Sequence, residues 1–125
     1  MKLVVLMLAA ALTYMVGYVA YYGRQTRLTG DALMLAHHRG GTNCAMLIAL
    51  IVVTAIETLL YQRLAGRSPL LWAHLPLAVT FAGLFLLMRF RFDGLRSKAH
   101  RYLAYACLAA YAGALTTGGM LLWRI

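Results

Sequence analysis

A chain of 125 residues with 63% hydrophobic and 12% charged side chains offers one domain's worth of length and too little polar surface to cover itself in water. Soluble domains devote roughly a quarter of their residues to charge, so a lipid surround is expected and a water-exposed globule is excluded. The net charge of +9 comes from basic residues clustered in short segments between apolar runs. That is the pattern of membrane topology and not of a nucleic-acid footprint.

In chain order, four apolar runs reach the ~20 residues that a spanning helix needs. They lie at about 3–22, 41–61, 70–88 and 102–123. Met1-Lys2 and the run behind it read as a retained first span, because the run is too long for a signal-peptide core. Residues 23–40 read as the longest polar connection. It opens on the helix stop Gly23-Arg24-Gln25-Thr26-Arg27 and contains a short surface helix from an Asp31 cap to His38. Gly40-Gly41 then breaks that helix. Residues 62–69 read as a tight turn with Gly66 and Pro69, and residues 89–99 as a basic turn around Asp93-Gly94. The fold class expected is all-α: an integral membrane, up-down four-helix bundle forming a single domain over residues 1–125.

Lysine and arginine set the orientation. Residues 23–40 and 89–101 hold Arg24, Arg27, Arg39, Arg89, Arg91, Arg96, Lys98 and Arg101. The opposite end holds Lys2, Arg63, Arg67 and Arg124. The richer end is expected to face the cytoplasm, with both termini outside, in a bacterial inner membrane. Tyr14, Tyr18, Tyr21 and Tyr22 approach the richer end and Trp72 and Trp123 the other, as interfacial belts do.

Ionisable groups within spans are costly and are candidate functional residues by default. His37 and His38 precede the second span, and His100 opens the fourth at the same end. In an up-down bundle these helix starts are level, which is how two helices hold b-type haem between two imidazoles; the alternative is interfacial histidines beside anionic lipid. His100 shares a helix face with Ala104, Cys107, Tyr111 and Ala114, and His37 shares one with Cys44. The set His37, Cys44, His100 and Cys107, with Met88 nearby, suits copper(I) through sulfur and imidazole, although the spacing matches no compact metal motif. The two cysteines otherwise read as small apolar residues.

At the other end, His74 reads as a first-turn residue of the third helix, with Pro76 tolerated behind it. Glu57 lies at a similar depth across a short loop, so a Glu57–His74 hydrogen bond is expected. Its uses are a structural pair, support of a ligand histidine, or handling of protons or quinol. Gly113, Thr116, Thr117, Gly118 and Gly119 read as helix packing. No nucleophile–base triad, phosphate loop or paired-carboxylate site is present, so hydrolase and kinase chemistry has no support.

The order Ala36-His37-His38-Arg39, Trp72-Ala73-His74-Leu75-Pro76-Leu77-Ala78, Lys98-Ala99-His100-Arg101-Tyr102-Leu103-Ala104 and Thr116-Thr117-Gly118 resembles one family. It is the domain-of-unknown-function 420 family of small bacterial membrane proteins, whose members are linked to maturation of haem–copper terminal oxidases. The resemblance covers about residues 36–119. It implies that His38 or His37, together with His74 and His100, holds the family's histidine positions, with haem or copper as cofactor and respiratory-complex subunits as partners. Two features depart from the family's pattern: Glu57 stands in a stretch expected to be apolar or aromatic, and no histidine follows the second span near Tyr61-Gln62-Arg63. From the residues alone, a cofactor-free accessory subunit of a respiratory or photosynthetic membrane complex is the alternative.

Overall fold

The computed structural model describes residues 1–64, 66, 68–91 and 97–124. Among these, four helices run up and down: α1 (Lys2–Thr29), α2 (Ala32–Leu64), α3 (Pro69–Phe90) and α4 (Lys98–Arg124). Each is long and apolar enough to cross a membrane, making the chain multi-pass by length and composition. The expected turn at Asp93-Gly94 lies outside the described residues, as do Arg67 and Arg96.

The principal correction concerns residues 23–40. No polar connection and no surface helix form there; α1 and α2 run on and meet at a tight turn. Gly30 ends α1 in the left-handed region, at φ 68°, where its N–H reaches the Thr26 carbonyl. This is the position that glycine fills most readily. Asp31 then caps α2 by accepting from the Leu33 N–H at 2.8 Å. The cap expected at Asp31 is present, but the helix it opens continues through the second span. Gly40-Gly41 does not break it. A Cβ on Gly41 would stand 2.6 Å from a Tyr18 ring carbon, so this glycine serves close packing of α1 on α2.

Helix α3 begins at Pro69, with the N-terminal turn of the helix formed by Pro69 rather than His74. Pro76 therefore lies inside the helix, where its missing N–H leaves the Trp72 carbonyl without the usual helical donor. Within α2, Val52–Glu57 is wound as a π-helix. The Thr54 and Thr58 hydroxyls donate to the Leu50 and Thr54 carbonyls at the same place.

The helices pair as two hairpins. α1 packs along α2 and α3 along α4, the hairpins meet through α2 and α3, and α1 and α4 hardly touch. The interior is built largely of small residues, Ala45, Ala49, Ala78, Ala82, Ala110 and Ala114, with Leu12, Val16, Phe81, Phe85 and Cys107 filling between them. Small residues let backbones approach where lipid removes the hydrophobic drive for helices to associate. The large apolar side chains, Leu3, Leu47, Phe90 and Trp123 among them, point outward. The α1–α4 seam is left as the weakly closed side of the bundle, and residues of both helices line the two interior cavities described below.

Candidate functional site

At the arginine-rich end, a cavity of about 270 Å³ lies between all four helices. Its floor is apolar, from Val16, Phe81, Phe85 and Leu108, and Met88 adds to the wall nearer the end of α3. Arg24, Arg27, Arg39, Arg89 and Arg101 line its rim, and His38 and His100 line it from α2 and α4. The helix lengths account for this arrangement. At about 1.5 Å per residue, the 28 residues of α1 span ~42 Å, more than the ~30 Å of a hydrocarbon core. The overhang carries the basic groups to the polar edge.

His38 is buried, and its Nδ1–H donates to the Val19 carbonyl at 2.9 Å. In the neutral ring this puts the lone pair on Nε2, as a backbone carbonyl does for metal-ligating histidines. The His38 and His100 rings lie 6.4 Å apart, centroid to centroid, at 66°. Ser97 accepts from the His100 backbone N–H at the start of α4. The two imidazoles expected from separate helices are thus brought together, and His38 is the member of the adjacent pair that faces inward.

His37 lies elsewhere. Its Nδ1 is hydrogen-bonded to the Tyr18 hydroxyl at 2.7 Å, and its ring stacks on Tyr22 at 4.8 Å. Cys44 shares that outer groove with Tyr14, Tyr18 and Gly41. Cys107 is buried in the inner cavity, with its thiol directed to the Phe81 carbonyl. The convergence expected of His37, Cys44, His100 and Cys107 is therefore split between two faces of α2. Adjacent helix positions are turned by about 100°, and His37 and His38 accordingly face the outer groove and the inner cavity. No group of three or more His, Cys, Asp or Glu placed to hold a metal ion occurs among the described residues.

Towards the other end, His74 and Glu57 form the pair expected of them, at 2.9 Å between Nε2 and Oε1. His74 Nδ1 is 2.8 Å from the Thr117 hydroxyl, which itself donates to the Gly113 carbonyl. A Cβ on Gly118 would stand 3.0 Å from the His74 Cε1. Thr117 and Gly118, read from the sequence as packing, are the seat of the histidine. Their register opposite His74 in the antiparallel α3–α4 hairpin was the available signal. A second cavity of about 150 Å³ adjoins this pair. Phe81 lines both cavities; Tyr111, packed on it at 4.8 Å, hydrogen-bonds Thr13 across the seam.

Searches against family models, curated proteins and solved structures give no match to the chain.

Proposed function

We propose that the chain binds an anionic, largely apolar cofactor in the arginine-rimmed cavity, with haem b the ligand its donor set suits, and that it serves the assembly of a haem–copper oxidase. The observation that carries the reading is the His38–His100 pair, two imidazoles from different helices within one arginine-rimmed cavity.

The residues fit such a group in three respects. Two imidazoles are the ordinary axial donors of b-type haem in a helix bundle, and the Val19 carbonyl takes the Nδ1–H of one of them, the kind of contact that supports ligating histidines. The guanidinium groups of Arg24, Arg27 and Arg101 at the rim match carboxylates such as propionates. Phe81, Phe85, Val16 and Met88 supply the apolar bed. At about 270 Å³ the cavity is just below the ~300–1,000 Å³ of small-molecule sites. Haem supplies an iron centre for the two imidazoles to hold; the chain's own part is to orient the rings, neutralise the carboxylates and keep water away. The link to oxidase assembly, and to respiratory-complex subunits as partners, rests on the resemblance of the histidine pattern to the domain-of-unknown-function 420 family.

The test is the visible spectrum of the detergent-purified chain, reconstituted with haem. A Soret band is expected, lost in His38→Ala and in His100→Ala and kept in His37→Ala, whose ring faces the outer groove. A colourless protein that binds copper instead favours the sulfur donors Cys107 and Met88 of the same cavity. One that binds neither is a cofactor-free accessory subunit.

A further inference from the structure

The second cavity carries a separate assignment, independent of the haem reading. Glu57 lines it with a side chain about nine-tenths buried. Its Oε1 meets His74, while its Oε2 is buried with no hydrogen-bond partner among the described residues. A π-helical segment, the winding often found at functional sites, ends at this residue.

The protons can be assigned. A bare carboxylate within a membrane span is the costly state, so the pair holds one further proton between Oε1 and Nε2 and is neutral overall. Nδ1 then carries a hydrogen. Thr117 accepts it, its own hydroxyl hydrogen being directed to the Gly113 carbonyl. In either placement of the shared proton, Oε2 is left as an acceptor in need of a donor. A lone water is a poor candidate, because it needs two to four polar partners and this cavity is otherwise lined mainly by Val5, Leu12, Val52, Ile56 and Leu60. Two of its lining residues, Leu6 of α1 and Leu115 of α4, are 54% and 42% exposed, which points to an outlet at the surface between these helices. An occupant therefore enters sideways from the bilayer. It is uncharged, lipid-soluble and led by a hydroxyl, and the rings of Phe81 and Tyr111 in the wall favour a flat aromatic head.

We propose that this cavity binds a hydroquinone-class lipid whose phenolic hydroxyl donates to Glu57 Oε2. The experiment is equilibrium binding of decylubiquinol, kept reduced, to the full chain in proteoliposomes, set against decylubiquinone and 1-dodecanol. Decylubiquinol is expected to bind about tenfold tighter than the quinone, which lacks the donor, as a hydrogen bond to an ionised or ion-paired group is worth. Glu57→Leu abolishes that preference. Glu57→Gln keeps it in weakened form, since the amide N–H₂ reaches His74 and its oxygen takes the place of Oε2. Equal binding of quinol and quinone, or no saturable binding, overturns the proposal, and dodecanol binding as well as the quinol overturns the hydroquinone class. If Glu57→Leu does not fold, the quinol-to-quinone ratio of the native chain and of Glu57→Gln still decides.

Discussion

Gly118 and Gly119 are neighbours with opposite duties. A methyl at Gly118 would meet the His74 ring, which is held at both nitrogens and has no direction in which to yield, whereas a methyl at Gly119 meets nothing within 4 Å. Gly118→Ala is accordingly expected to lower stability by about 1–3 kcal/mol, the usual cost of overpacking. Gly119→Ala should be neutral or stabilising, by up to ~1 kcal/mol of helix propensity. Thermal melting of the two variants in one detergent checks both. The Glu57–His74 pair was readable from the sequence because a short loop brings two buried polar residues to similar depths, and each must find a partner. The choice between His37 and His38 was not readable. It depends on which face of α2 each occupies, and that face is set by the packing of α1, where Val19 meets His38 and Tyr18 meets His37, on a stretch expected to precede the span and not to continue it.

The spans themselves were plain in the sequence, since ~20 apolar residues leave a helix little alternative in lipid. The ends of the helices were not plain. Apolarity reports where hydrocarbon lies and is silent on how far a helix continues beyond it, so the observed helices overrun the expected spans at both ends. Gly23 and Gly40-Gly41 looked like punctuation, yet glycine inside a helix is tolerated where a neighbour packs closely, as Tyr18 does on Gly41. The punctuation that operates is Gly30-Asp31. Replacing Gly30 by Ala forces a Cβ into the left-handed region at about 1–2 kcal/mol, and Asp31→Ala removes the cap at about 0.5–2 kcal/mol. Unfolding of each variant in mixed micelles should show losses of that order. The loss for Gly30→Ala should be rescued by Asn, the other residue common at this position.

For the molecule as a whole, the up-down order puts the α1–α2 turn and the start of α4 at one end, and the two termini at the other. By sequence, the segments 23–40 and 89–101 hold eight of the twelve Lys and Arg residues, so the first of these ends is expected in the cytoplasm. Reporter fusions at each terminus, active only outside the cytoplasm, should both be active; activity of a reporter inserted at Gly30 instead would reverse the orientation. With the expected orientation the arginine-rimmed cavity would lie on the cytoplasmic side. A cofactor would then meet the cavity from the side on which the guanidinium groups project.

One side chain stands in the wall of both cavities. Phe81 closes the floor of the histidine cavity and the inner end of the Glu57 cavity, braced by Tyr111 and, through it, by Thr13 of α1. Any occupant that turns this ring at one end reshapes the space at the other. Thermodynamic reciprocity then requires the two occupants to alter each other's affinity by one common factor, so the bundle carries in a single aromatic ring the means for one guest to report its arrival to the next.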